Sequence, residues 1–247
     1  MWEAIIHHLH PHAELRRAWP LTGGLSAQMT ALEIGLPDGQ TQKLVLRQHP
    51  RAVQEFDLLG VLHTQGLPVP APLDYGLSPA PYLVMEFIEG QPDFAPADLP
   101  GYIRQFAALL ARMHAIDARP FLPPSDAGRA LVHGDMWPGN VLWKDGKIAA
   151  VIDWEDAACG DPLEDVAISR LEMLLFFGVE AMNDFTRTYQ ALTQIDLAPL
   201  REWDWRAAER VEPEEWAAPL ALLGRPDITA DAIRAAHQLF MAQVRGD

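Results

Sequence analysis

The stretch LVHGDMWPGNVLW, Leu131–Trp143, decides how the chain is read. Apolar residues flank it on both sides. Inside it Gly134, Pro138 and Gly139 rule out a helix interior or a central strand, so the segment is a loop joining two strands. That loop carries a carboxylate, Asp135, and an amide, Asn140, five positions apart. Asp and Asn favour turns for their own sake, so the pair gains meaning only from what surrounds it.

Downstream, NVLWKDGKIAAVIDWE reads as two short strands turning at Asp145-Gly146, a dipeptide suited to a tight hairpin. The second strand ends in another carboxylate, Asp153. Upstream, GYIRQFAALLARMHAI places Ile103, Phe106, Leu110 and Met113 on one face of a helix. From Pro162 onward the pattern is mostly helical. Before the loop the pattern differs. ELRRAWPL, MTALEIGL and KLVLRQ read as strands, with hairpin chemistry at PDGQ. RAVQEFDLLGVLHTQG reads as one helix ending near Gly66, and PYLVMEFIEG as a buried strand. The proline-rich QPDFAPADLP reads as a linker. The expectation is an α+β chain of two unequal parts, residues 1–89 and 90–247.

Transfer of a phosphoryl group calls for a carboxylate that orients and deprotonates a hydroxyl, hard oxygen ligands for Mg²⁺, and a cation for the phosphates held by an anion. Asp135, Asn140, Asp153, Arg47 and Glu55 are residues of those types, in that order of parts. At these positions the sequence resembles the protein-kinase-like fold and, more narrowly, the aminoglycoside phosphotransferase family of small-molecule kinases. HGDMWPGNVLW is similar to that family's catalytic loop, and VIDWEDAACGDPLEDVA to its metal-binding segment. LTGGLSAQ, LVLR and YLVMEFIEG are similar to its nucleotide lobe, so the resemblance runs from about Leu21 to Ala167.

The resemblance implies a bilobal fold: an antiparallel-sheet N-lobe, residues 1–89, that binds nucleotide with one main helix, and a mostly helical C-lobe, residues 90–247, for catalysis and the acceptor. Asp135 would be the catalytic base, and Asn140 and Asp153 would bind Mg²⁺. Ser26 and Arg47 would meet the phosphates of ATP or GTP, with Glu55 pairing Arg47. Met85 would flank the purine, and the backbones of Glu86 and Ile88 would hydrogen-bond it. Two departures stand out. Arg47 occupies the place of a kinase lysine, a planar fork in place of a point charge. Gly134 stands where protein kinases carry the arginine that senses a phosphorylated activation loop, which argues for a small-molecule acceptor.

The acceptor belongs to the C-terminal helices, where the resemblance fades. An aminoglycoside, a smaller amino alcohol and a sugar derivative all remain open, as does a catalytically silent nucleotide-binding protein. Charge favours an amine: Gly90 onward holds 25 Asp and Glu against 14 Lys and Arg. The run ERVEPEEW points to Glu212, Glu215 and Trp216 as a cation-binding wall, with a solvated helix face as the plainer reading. His133 reads as a loop anchor, and Asp161 and Asp165 as braces for the helix after CGDP.

The formal charge of −15 over 247 residues argues against nucleic acid or an anionic membrane as partner. Cys159 is the single cysteine, MWEAIIHHLH lacks the features of a secretion signal, and LEMLLFFGV is too short to span a bilayer. These suit a cytoplasmic protein.

Overall fold

A computed structural model describes residues 2–21, 28–78 and 80–246. Its contacts divide the chain into two compact units, Met1–Glu89 and Gly90–Asp247.

The first unit is a five-stranded antiparallel sheet with a helix on each face. Its elements are α1 (Trp2–Leu9), β1 (Glu14–Pro20), β2 (Gln28–Gly35), β3 (Thr41–Gln48), α2 (Ala52–Thr64), β4 (Pro72–Gly76) and β5 (Tyr82–Glu86). The strand order is β1-β2-β3-β5-β4. Side chains alternate across a strand, and β3 shows the consequence. Leu44 and Leu46 turn to one face, where they pack with Leu32, Ile34 and Val84 beneath Ile5 and Ile6 of α1. Val45 and Arg47 turn to the other, and Arg47 there meets Glu55 of α2.

The second unit is helical around two small ladders. Its elements are α3 (Leu99–His114), β6 (Ala130–Val132), β7 (Val141–Lys144), β8 (Lys147–Val151), β9 (Ala158–Gly160), α4 (Leu163–Phe177), α5 (Val179–Thr193), α6 (Leu200–Glu209), α7 (Pro213–Leu222) and α8 (Ala230–Arg245). The four α3 residues expected on one face, Ile103, Phe106, Leu110 and Met113, are all buried. The QPDFAPADLP segment is more tightly held than a linker. Gln91 exchanges backbone hydrogen bonds with Trp143, and Phe94 stacks on Phe176 with ring centroids 4.9 Å apart. An apolar ring in a proline-rich passage still gains by burial.

Strand β6 pairs with β9, and β7 pairs with β8. The loop 133–140 therefore leads from one ladder to the other, and the loop 152–157 leads back. The hairpin turn between β7 and β8 has Asp145 at φ 51° and Gly146 at φ 71°, the left-handed pair that a two-residue hairpin of the twisted kind needs. No helix among the described residues is long and apolar enough to cross a membrane.

Candidate active site

Because both loops span the same two ladders, they run side by side. The Ile152 N–H donates to the Asn140 carbonyl at 3.0 Å. The His133 ring lies with Nε2 3.0 Å from the Ile152 carbonyl, and its Nδ1 accepts the Asp135 N–H at 3.3 Å. Those two bonds require the neutral tautomer with its proton on Nε2. His133 is fully buried, so it anchors the loops, as its sequence setting suggested.

Asp165, the third residue of α4, holds the loop from beneath. Its carboxylate accepts the His133 N–H at 2.8 Å and the Gly134 N–H at 2.9 Å, and His114 Nε2 lies 3.1 Å away. The sequence reading had Asp165 bracing its own helix; it braces the loop, because the α4 N-terminus faces that loop's backbone. Burial works to raise its pKa, yet the bonds and charges of His114 and His133 hold it below the usual carboxylate value. Gly134 permits this approach. Its φ is +82°, and a Cβ would stand 2.7 Å from the Asp156 carbonyl, so only glycine fits.

Asp135 then emerges with both oxygens engaged yet reachable, its side chain 38% exposed. Asn140 Nδ2 donates to its Oδ2 at 3.0 Å and to its backbone carbonyl at 2.9 Å. Both bonds use the amide nitrogen of Asn140, so its amide oxygen takes no part in them. Asp153 sits just past β8 at φ 68°. Strain of that kind costs about 1–3 kcal/mol and concentrates where a side chain must be aimed. Burial first, and then the charge of Asp153, raise the Asp135 pKa, against the pull of His133 and Arg210.

Arg210, at the C-terminal end of α6, was not visible in the sequence as part of the site. Its Nη1 donates to the Gly134 carbonyl at 2.9 Å and its Nη2 to Asp135 Oδ1 at 3.3 Å. The helix is set there by Asp204, whose carboxylate takes a two-pronged bond from Arg170 of α4 at 3.0 and 3.1 Å. A second unforeseen residue, Glu172 of α4, is buried nearby. Burial, then the charge of Asp135, push its carboxyl up to about 8, with Arg210 opposing. The available signal for Glu172 was a lone acid within the apolar run LEMLLFF.

In the first unit, Arg47 Nη1 lies 2.8 Å from Glu55 Oε1, both side chains almost fully buried. His49 Nε2 lies 2.7 Å from Glu55 Oε2. Asp57, two residues further along α2, is exposed. Met85 is buried in β5, the Glu86 N–H donates to the Ala71 carbonyl at 2.9 Å, and Ile88 follows the strand's end. Ser26 lies outside the described residues.

Of the residues expected to bind the acceptor, Trp216 packs on the same apolar cluster as Trp137 of this loop. Glu212 and Glu215 are exposed at the start of α7, and Trp216 packs against the cluster of Phe176, Leu220, Ile228 and Ile233. Among the described residues no hydrogen bond or ion pair joins the three to Asp135 or Asn140. Nor do three His, Cys, Asp or Glu side chains gather as a metal cage. One carboxylate and one amide oxygen are, however, a donor set that fits Mg²⁺, which keeps several waters and takes further oxygens from bound phosphates.

A model of the phosphotransferase enzyme family, APH, matches residues 20–131 and 122–203. Over 57 residues the chain is 44% identical to a viomycin phosphotransferase from Streptomyces vinaceus, 22% of this chain and 18% of that protein. Over 117 residues it is 38% identical to a homoserine kinase from Pseudomonas aeruginosa, 46% of this chain and 33% of that protein. The matched stretches thus span a third or less of the length of these curated relatives. Among solved structures, the GDP and kanamycin complex of APH(2")-IIia is similar with TM-score 0.65 and 16% identity, covering 98% of each chain. A thermostable aminoglycoside phosphotransferase APH(4)-Ia, in complex with ADP and hygromycin B, gives TM-score 0.62 and 18% identity over 98% of this chain and 97% of that one. The fold is therefore protein-kinase-like, α+β, with an antiparallel sheet in the N-terminal part and helices in the remainder.

Proposed function

Because the chain belongs to the phosphotransferase enzyme family, we propose that it transfers the γ-phosphoryl group of a nucleoside triphosphate to a hydroxyl of an amine-bearing small molecule. The observation that carries this reading is the Asn140–Asp135 bond at 3.0 Å. It fixes a reachable carboxylate in one orientation and uses only the nitrogen of the amide, which supports a reading in which the amide oxygen serves a cation.

In the proposed reaction Asp135 accepts the hydroxyl proton. The hydroxyl oxygen forms a bond to the γ-phosphorus, the bond from that phosphorus to the β-bridging oxygen breaks, and the nucleoside diphosphate leaves with the electron pair. Bound Mg²⁺, held by Asn140 and Asp153, would neutralise charge on the phosphate oxygens. Arg47, steadied by Glu55, is the cation for the phosphates in the first unit. The Glu86 N–H is spent on Ala71, so a purine would meet the Glu86 carbonyl and the Ile88 N–H, with Met85 beside its ring. The name of the homoserine kinase relative and the aminoglycosides in the similar structures support a hydroxylated amine as acceptor.

The test is phosphoryl transfer from Mg-ATP and Mg-GTP to hydroxylated amines, followed by nucleoside diphosphate release, with calorimetry of nucleotide binding across a magnesium titration. Asp153→Ala is expected to remove the magnesium dependence of binding, and Asn140→Ala to weaken it. Unchanged magnesium dependence in Asp153→Ala would refute the metal assignment.

A further inference from the structure

Resting on that reading, we infer that Arg210 is a positioning residue for the proposed phosphoryl transfer: its planar fork holds Asp135 in the orientation from which the base meets the acceptor hydroxyl.

Loops 133–140 and 152–157 carry Asp135, Asp153, Glu155 and Asp156 and not one lysine or arginine. An arginine or lysine for the base must therefore come from outside them. Among the described residues, Arg210 is the one hydrogen-bonded to loop 133–140, with Nη1 on the Gly134 carbonyl at 2.9 Å and Nη2 on Asp135 Oδ1 at 3.3 Å. Asn140 makes the matching grip from the other oxygen, its Nδ2 donating to the Asp135 carbonyl at 2.9 Å and to Oδ2 at 3.0 Å. Each grip ties a carboxylate oxygen to a main-chain carbonyl. Together they fix both the rotation of the carboxylate and its place over the backbone.

The residue before the base needs such a hold. Gly134 stands at φ +82° and has no side chain to limit its backbone. Asp165 takes its N–H at 2.9 Å and Arg210 holds its carbonyl, so both ends are pinned. The arginine is itself set in place. It caps the C-terminal end of α6, where the helix dipole favours a positive charge, and Arg170 of α4 clamps that helix through Asp204. Yet the Arg210 side chain is 45% exposed. Water screens an ion pair so placed, and the fold gains little from it. What the pair supplies is geometry, two bonds from one rigid plane, which the point charge of a lysine cannot reproduce.

The experiment uses the full chain with Mg-ATP and, as acceptors, L-homoserine, kanamycin and water, the last read as slow nucleotide hydrolysis. Arg210→Ala should lower kcat about 10²-fold, the cost of misplacing a catalytic group by about 1 Å. KM for the acceptor, Mg-nucleotide affinity in calorimetry and the melting temperature should stay nearly unchanged. Arg210→Lys keeps the charge and loses the fork. It should recover only part of the loss, and it serves if the alanine variant fails to fold. In an Asp135→Ala background, Arg210→Ala should cost nothing further, because the arginine acts through that carboxylate.

Unchanged kcat in Arg210→Ala would overturn the assignment. So would a loss confined to KM, which would make Arg210 a binding group for the acceptor, or full recovery in Arg210→Lys. An equal further loss in the Asp135→Ala background, the mark of a merely structural role, would overturn it too. All of these leave the kinase reading standing. Absence of Mg-nucleotide binding, or of any turnover, in the unaltered chain would instead refute the kinase reading itself, and the role of Arg210 with it.

Discussion

Glu55 and Glu172 are both buried glutamates on helices, 4% and 7% exposed, and they are treated in opposite ways. Glu55 has Arg47 at 2.8 Å on one oxygen and His49 at 2.7 Å on the other. Glu172 has neither a cation nor a donor among the described residues. Two helices of similar length thus bury the same group, once with its partners encoded by the neighbouring strand and once without. Burying a carboxylate stabilises nothing by itself; what separates the two is whether the chain supplies a counter-charge or leaves the group to hold its proton. Asp135 lies between these extremes, with one arginine, one amide and an open side.

The comparison can be broken at several points. The largest expected effect is at the open carboxylate. Asp135→Ala should lower turnover by about 10²–10⁴-fold, the contribution of a positioned acid–base group, with nucleotide affinity in calorimetry nearly unchanged. A folded Asp135→Ala protein that turns over normally removes it from the chemistry.

Next comes the compensated glutamate. Glu55→Ala leaves the buried Arg47 charge without its carboxylate, and breaking a buried pair costs about 3–5 kcal/mol. Urea unfolding should show that loss. A change under 1 kcal/mol would mean that the pair is held by surroundings other than Glu55.

The uncompensated glutamate should behave in the opposite sense, and pH reveals it. The Glu172 carboxyl is pushed up to about 8 in the folded protein from an ordinary value of 4.5. Between those values the folded chain holds a proton that the unfolded chain releases, so Glu172 makes stability fall as pH rises through that window. The slope from one such group is at most about 1.4 kcal/mol per pH unit. Glu172→Gln removes the group, and its melting temperature without ligand should overtake that of the unaltered chain as pH rises from 6 to 9. A constant difference between the two across that range would show that Glu172 has its charge compensated after all. Asp165 has the reverse sign. Its lowered pKa gives stability that is present above the ordinary value of 3.8 and lost as pH falls below it.

The smallest effect sharpens the contrast by removing burial. Glu214 pairs with Arg234 at the surface, where water and salt screen such a pair and leave it little net effect. Glu214→Ala should shift the urea midpoint barely at all, and a loss like that of Glu55 would undo the distinction drawn from burial.

How much of this could be read from the chain follows the same division. Asp135, Asn140 and Asp153 were legible because a loop and a hairpin hold them at short, fixed separations. The Asp145-Gly146 turn and the buried face of α3 were legible because local chemistry dictates them. The pairing of Arg47 with Glu55 was legible because a strand end and the next helix are close in sequence. Arg210 was not, since it reaches Asp135 across 75 positions and nothing local marks it. The acidic run around Glu212 and Glu215 drew attention by its density. Density of charge is cheap at a surface, whereas the informative acid was a single one within an apolar helix. Trp216 likewise proved to be packed among apolar side chains, the ordinary fate of an aromatic.

The two loops that share a pair of ladders have a mechanical consequence. Loop 133–140, ladder β7–β8, loop 152–157 and ladder β6–β9 form a closed linkage with four sides, cross-tied where His133 and Asn140 meet Ile152. In such a frame neither loop can slide without carrying the other, so Asp135 and Asp153 keep their spacing when the surrounding helices breathe. The tip at Asp145-Gly146 lies at the far end of the β7–β8 ladder, where Gln105 of α3 donates to the Gly146 carbonyl at 2.9 Å. Extra residues spliced in there should leave the spacing intact, while a single residue added to either loop would skew all four sides at once.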